Sequence, residues 1–345
     1  MALSDVDRGP FAQQTRRTVA CGTAIHDGAS MTIFVSIAAY RDSELVPTVL
    51  DALAKARRPE RLRFGICWQH GDDDDITPLL SHPQVTIMDV DWRDAQGACW
   101  ARAECMKMYD GEDHFLQLDS HHRFASGWDE AMLHQLRLAP SDKPVLSAYL
   151  PIYEIDEPPN QDAEPLMFIP FEIGEDSIPR VCPIPIPGWR DKDRPVRARF
   201  VSGHFLLAAG SFVEEIPYDP ELYFHGEEIT LSVRAFTWGW DLFHPTRTVI
   251  WHNYGGFYRR KHWEDHRPGA EVIKAWTARD KLSRMTARAM LLSNPVGPLR
   301  CGPVRTVADF EAYAGISFRD RTVSEAAKVG IEPEPWVAAL QTAPA

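Results

Sequence analysis

The sequence has no apolar run long enough to span a bilayer, and residues 1–30 contain no apolar core of a secretory leader. No membrane insertion is expected. There is no CxxC pair. The six cysteines (Cys21, Cys67, Cys99, Cys105, Cys182 and Cys301) are scattered, most of them in apolar stretches. This predicts reduced, mainly buried thiols and a cytoplasmic protein. Positive charge is scarce: 37 Lys and Arg stand against 49 Asp and Glu, a formal net charge of −12. Nucleic acid is therefore not an expected partner, since non-specific binding needs a basic face, and anionic membranes would repel the chain. No internal repeat is present. The apolar share is ordinary at 44%, and 345 residues suffice for one large domain with an extension.

The densest chemistry lies in FLQLDSHHRF, residues 115–124. Its first four residues are short and largely apolar and follow a polar turn, which predicts a buried strand. The strand stops at Asp119, Ser120 and His121. Side chains alternate along extended backbone, so Asp119 and His121 would face one way and Ser120 the other. A carboxylate and an imidazole suit Mn²⁺ or Zn²⁺, and a carboxylate-rich site suits Mg²⁺. Alternatively, Asp119 caps the next segment, and His121 and His122 are surface residues.

Around this stretch the chain reads as alternating strands and helices. TIFVSIAA, residues 32–39, predicts a central parallel strand ended by Tyr40-Arg41-Asp42. Asp42 or Ser43 can cap the helix that follows, with Pro47 near its first turn. Strands are expected over residues 62–68 and 85–90, and a helix over 97–109. The acidic run Asp72–Asp75 between the two strands reads as a solvated loop. The β-α-β-β-α-β order implies a parallel α/β sheet. A helix over 126–138 and a strand over 145–151 come next. Proline is dense from 151 to 195, which predicts loops rather than core strands. An apolar strand over 200–208, a helix over 229–238 and strand-like residues over 241–251 follow. The chain after Trp263 reads as basic and helical through Leu292. A capped helix over 306–314 and a frayed tail over 333–345 complete it.

Several long stretches, in order, resemble a known family. They are IFVSIAAYRDSELVPTV from Ile33, FGICWQ from Phe64 and GACWARAECMKMYDGEDHFLQLDSHHRF from Gly97. FVSGHFLLAAGSFVEEIPYDPELYFHGEEITLSVRAFTWGWDLFHP from Phe200 and WHNY from Trp251 follow. Their plan resembles nucleotide-sugar glycosyltransferases of the GT-A type. More closely, they resemble the cytoplasmic N-acetylglucosaminyltransferases that modify hydroxyproline on a ubiquitin-ligase subunit, and the bacterial relatives of that family. The resemblance implies a Rossmann-like, mainly parallel α/β fold. It divides the chain into a tail (1–30), a catalytic domain (31–262) with a Pro-rich loop region (151–195), and a C-terminal helical extension and tail (263–345).

The resemblance also implies roles. Asp119 and His121 match the metal-binding pair of a DxH motif, and His252, after a short apolar strand, matches a third ligand, with His244 and His262 as competitors. The cation is Mn²⁺ or Mg²⁺, and the donor is a UDP-sugar, UDP-GlcNAc first. Ser36, Tyr40 and Arg41 lie where this fold binds uridine, although Tyr40 also suits packing at the strand mouth. Arg102 resembles an arginine near the diphosphate; without the resemblance it is a surface helix residue. Gly203 and His204 resemble a sugar-pocket segment, and His204 alone also reads as a core histidine. Gly226 would let backbone approach the ligand closely. Glu227 or Glu228 would orient donor or acceptor, while both also suit a helix N-terminus. Trp189, Trp238 and Trp240 are candidates for a sugar-stacking face or for core. The acceptor is an unidentified hydroxyl on a protein, peptide or small molecule, and retention of configuration is expected. Two other classes remain open: a metal-dependent phosphoesterase using Asp113, Asp119, His121 and His122, and a non-catalytic sugar-binding protein.

Overall fold

In the computed structural model, which describes residues 31–256 and 258–337, the apolar run after Met31 forms β1 (Ile33–Tyr40). The expected tail at 1–30, and the part of the expected tail at 333–345 from residue 338 on, lie outside the described residues. Next come α1 (Leu45–Lys55), β2 (Leu62–His70), α2 (Thr77–Leu80), β3 (Val85–Asp91), α3 (Ala98–Met106) and β4 (His114–Leu118). These strands pair in parallel in the order β3-β2-β1-β4. β1 is buried on both faces, and its two-residue period divides it between two cores. Ile33, Val35, Ile37 and Ala39 pack with Leu45, Val49 and Ala52 of α1. Phe34, on the other face, packs with Cys99, Ala103 and Met106 of α3.

Beyond β4 the chain makes a three-residue strand, β5 (His122–Phe124), then α4 (Trp128–Leu138) and β6 (Pro144–Ser147). The Pro-rich stretch is not all loop. It forms a hairpin of β7 (Leu166–Ile173) and β8 (Pro179–Pro185), a two-stranded sheet separate from the central one. Pro179, Pro183 and Pro185 are tolerated because each strand of an isolated ribbon has one edge whose backbone needs no partner. β9 (Val196–Arg197), β10 (Phe205–Ala209), α5 (Ser211–Glu215), α6 (Glu227–Thr237), β11 (Asp241–His244) and β12 (Ile250–His252) follow. They complete an eight-stranded sheet, β3-β2-β1-β4-β10-β6-β11-β9, in which β10 runs antiparallel to both neighbours. β12 instead pairs with β5.

The segment after Trp263 is helical only in part. One turn, α7 (His262–Asp265), precedes irregular chain through Pro268 and Gly269, and helix resumes as α8 (Trp276–Ser293). Proline at 268 removes a backbone donor, which prevents a continuous helix. In α9 (Val307–Ala314), Thr306 caps the start through Asp309 N, with the reciprocal bond of a capping box. Met290 and Leu291 of α8 and Phe310 of α9 pack with Phe236 of α6 and Phe168 of the hairpin. No helix among the described residues is long and apolar enough to cross a membrane.

Candidate active site

The carboxyl ends of β1 and β4 open into one cleft, the usual ligand position in such sheets. β4 ends at Leu118, and residues 119–121 bend before β5 begins. This bend brings Asp119 and His121 together, where simple alternation had been expected. Ser120, expected to point away, joins the same network: its Oγ donates to Asp42 Oδ2 at 2.6 Å. β12 then sets His252 opposite His122 of β5. One ligand atom from each of Asp119, His121 and His252 lies within 4.8 Å of the others. Asp119 Oδ2 is 3.7 Å from His121 Nε2 and 3.4 Å from His252 Nε2.

Three features of this set suit a divalent cation. First, His121 Nδ1 lies 2.7 Å from Asp42 Oδ2, which fixes the ring and leaves Nε2 toward the cleft. A carboxylate behind a histidine is the usual support of a metal-binding imidazole. Second, burial drives His252 well below its ordinary pKa, and it does the same for its neighbours His122 and His204. Neutral imidazole is the form that ligates metal. Third, the local charge is unbalanced. Asp42, Asp119 and Glu227 bring three carboxylates, against two guanidiniums: Arg102, which bridges Asp119 and Glu227, and Arg259, 3.8 Å from Asp42. One positive charge is missing. Burial pushes the Asp119 carboxyl up, but the hydrogen bond with His252 and the charge of Arg102 outweigh it and hold it well below the usual range.

Arg102 is not a surface residue; it is 6% exposed. Nη2 donates to Asp119 Oδ1 at 2.7 Å, and Nη1 donates to Glu227 Oε1 at 2.6 Å and to Gly203 O. Tyr218 Oη donates to the same Glu227 oxygen at 2.9 Å. Gln117 Nε2 donates to Gly203 O at 2.6 Å and to Tyr218 Oη at 2.7 Å. Glu227 thus faces inward and orients Asp119 through Arg102. A Cβ on Gly203 would come within 2.8 Å of Arg102 Nη1, so glycine is required for this approach. Glu228 is held differently. Its Oε1 accepts from Gly203 N at 2.8 Å and its Oε2 from Tyr149 Oη at 3.2 Å, and burial raises its pKa to about 7.

The other candidates divide. Tyr40 lines the cleft together with Gln69, Gly97 and Arg102. Its Oη donates to Asp265 Oδ2 at 3.0 Å, and its ring packs 5.1 Å from that of His262. Arg41, at φ +45°, turns to a neighbouring depression beside Asp73 and Asp74. Ser36 is buried in the middle of β1, paired with Gly65 and Gln117, and does not line the cleft. Gly226 does have positive φ (+92°), but its bare face packs on α8: a Cβ would sit 2.6 Å from Ala287 Cβ. Helix packing, rather than ligand approach, explains that glycine. His204 stacks on His252 at 4.3 Å and bonds Ser202 Oγ through Nδ1, which backs the His252 ring. His244 is fully buried on Ser147 O, and His262 contacts Tyr223 Oη. Trp238 and Trp240 belong to a core cluster and Trp189 packs against the hairpin, so they form no common face. Asp113 binds Thr32 at the opposite end of β4, which takes it out of the phosphoesterase set. Sequence reading cast Asp42 as a helix cap and did not single out Tyr218, Gln117 or Arg259. Only Asp42 had a local signal, its position just past a strand end.

The sheet order, the strand-tip cleft and the flanking helices are those of a GT-A glycosyltransferase. The solved structure of GalNAc-T7 with UDP, GalNAc and Mn²⁺ is similar to this chain, with a TM-score of 0.53 and 16% identity. The match covers 77% of this chain and 51% of that one. This chain therefore spans about half the length of that relative. TarS of S. aureus, residues 1–349 with UDP, matches at a TM-score of 0.43 and 12% identity, over 65% of this chain and 61% of that one. No curated protein matches the chain. The chain belongs to the GlcNAc glycosyltransferase family, whose model matches residues 32–79 and 74–320.

Proposed function

We propose that the protein is a metal-dependent transferase that moves GlcNAc from UDP-GlcNAc to a hydroxyl acceptor on a protein, peptide or small molecule, with retention. The observation that carries this reading is the Asp119–His121–His252 triad at the strand tips, one positive charge short of balance. These three residues would hold Mn²⁺ or Mg²⁺. When bound, the cation would offset the charge that gathers on the departing diphosphate. Asp42 holds His121 in its ligating orientation, and Arg102, pinned by Glu227, does the same for Asp119. Tyr40, Gln69 and Gly97 line the side of the cleft where uridine fits. Glu228 and Gly203 stand behind the sugar end, where a neutral Glu228 carboxyl can donate as well as accept.

GlcNAc as the sugar is supported by the family and by the resemblance to hydroxyproline-modifying transferases. The same resemblance supports a peptide hydroxyl as acceptor and retention as outcome. The free thiols at Cys67, Cys99, Cys105 and Cys301 fit a reducing, cytoplasmic setting.

The test is incubation with UDP-GlcNAc, UDP-GalNAc and UDP-glucose, with Mn²⁺ or excess chelator. UDP release and acceptor mass are read out, and the anomer of the product is read by NMR. UDP should appear fastest from UDP-GlcNAc and only with metal. Phosphate release from simple esters without a nucleotide sugar would favour a phosphoesterase. Sugar binding without turnover, intact in Asp119→Asn, would favour a non-catalytic protein.

A further inference from the structure

Residues 258–266 lie as a strap along the cleft, and their side chains contact the groups at its floor. Arg259 Nη2 is 3.3 Å from His121 Nε2, the ligand atom left open once Nδ1 is engaged by Asp42. Arg259 Nε is 3.8 Å from Asp42 Oδ2 and is buried without a hydrogen bond to any of the described residues. Further along, Asp265 Oδ2 accepts from Tyr40 Oη at 3.0 Å and from Arg41 Nη1 at 3.1 Å. His262 Nδ1 lies 2.8 Å from Tyr223 Oη.

The contact at His121 is exclusive by its chemistry. A neutral imidazole has one lone pair, and a guanidinium offers only donors. While Nε2 accepts from Arg259, that lone pair is not open to a cation. The charge argument points the same way. Arg102 pairs with Asp119 and Glu227, and Arg259 supplies the positive charge beside Asp42, behind His121. The fit is incomplete, however. Among the described residues Arg259 Nε finds no hydrogen-bond acceptor, so the strap is not held by a full set of hydrogen bonds. Buried donors left this way weaken an arrangement.

We propose that Arg259 is a resident cation of the metal site. In the metal-free protein it fills the charge position between His121 and Asp42, and it leaves, loosening the strap, when His121 Nε2 is taken by a divalent ion. The proposal rests on the reading of Asp119, His121 and His252 as metal ligands. It makes the metal site a latch. With the ion in place, the strap's hold on Tyr40 and Tyr223, which line the donor cleft, weakens.

The test uses the full chain, stripped with chelator and free of nucleotide. Mn²⁺ affinity is measured by calorimetry, and amide hydrogen exchange over residues 258–266 is measured with and without Mn²⁺. In the wild type, Mn²⁺ should speed exchange of the strap. Arg259→Met keeps the apolar stem and removes the charge. It should bind Mn²⁺ about tenfold more tightly, because no competing state has to be vacated, and its strap should exchange fast with or without metal. Arg259→Lys should remain closer to wild type. Equal or weaker Mn²⁺ affinity in Arg259→Met would overturn the proposal. So would slower strap exchange on adding Mn²⁺ to the wild type, a measurement that needs no variant. Failure of the underlying metal reading would look different: Mn²⁺ would bind neither protein, or its binding would survive Asp119→Asn.

Discussion

Replacing Glu228 with Gln should change how the stability of this protein depends on pH. The Glu228 carboxyl is enclosed between Gly203 N and Tyr149 Oη, and burial raises its pKa from 4.5 to about 7. Below pH 4.5 the group is protonated in both folded and unfolded chains. Between 4.5 and 7 the unfolded chain releases the proton while the folded chain retains it. The stability contribution is therefore fully present below 4.5 and is lost as pH rises through 7. At 1.36 kcal/mol per pH unit, this window corresponds to a loss of about 3 kcal/mol. Glutamine retains the shape and still accepts from Gly203 N, but it does not titrate. Urea unfolding of both proteins in excess chelator, at pH 4.5 and pH 8, gives the comparison. The wild type should lose about 3 kcal/mol more than Glu228→Gln across that range; other titrating groups cancel in the difference. Parallel pH profiles would mean that the folded protein carries Glu228 as an ordinary ionised carboxylate, and would refute the reasoning. In turnover, the same variant should lower kcat with little change in UDP affinity.

Chelation should abolish transfer and Mn²⁺ should restore it, and Asp119→Asn should cut kcat by about a hundredfold or more with the circular dichroism spectrum unchanged. Asp42→Asn, which touches no metal itself, should weaken Mn²⁺ affinity about 10- to 100-fold in calorimetry, because it releases the ring of His121. His252→Ala should lower metal affinity and rate together, with the rate partly recovered at high Mn²⁺; unchanged affinity would remove His252 from the ligand set. UDP should bind more tightly than GDP or CDP by calorimetry if Tyr40 and Gln69 line the base pocket, and equal affinities would displace that pocket.

Much of the scaffold is legible in local pattern. A continuous apolar, β-branched run can be satisfied only in the middle of a covered sheet, so β1 is readable from residues 32–39. β4 and its terminal Asp119 and His121 are readable as a short apolar strand that ends in polar residues. His252 is readable as a histidine at the end of another such strand. Thr306 and Asp309 declare a helix start because both ends of a capping box lie within four residues. Such features depend on neighbours in sequence, and periodicity records them.

What periodicity does not record is which distant groups meet. Asp42 reads as a helix cap, and its Oδ1 does accept from Glu44 N, but only with β4 laid beside β1 does its other oxygen reach His121. Gly226 has the positive φ of a turn glycine in either reading, but only the position of α8 shows that its missing side chain makes room for Ala287. Arg102 reads as a surface residue of an amphipathic segment, yet the fold buries it between Asp119 and Glu227, which are 108 residues apart in sequence. The prolines at 179, 183 and 185 argue against a core strand and are right to, but they do not forbid a hairpin outside the central sheet. Local pattern determines most strands of the central sheet, their tips and the residue types placed there, but not β5 or the β7–β8 hairpin. Tertiary structure alone decided how charge is distributed around them, because a carboxylate's partner is set by distances of about 3 Å between segments whose order along the chain carries no such information.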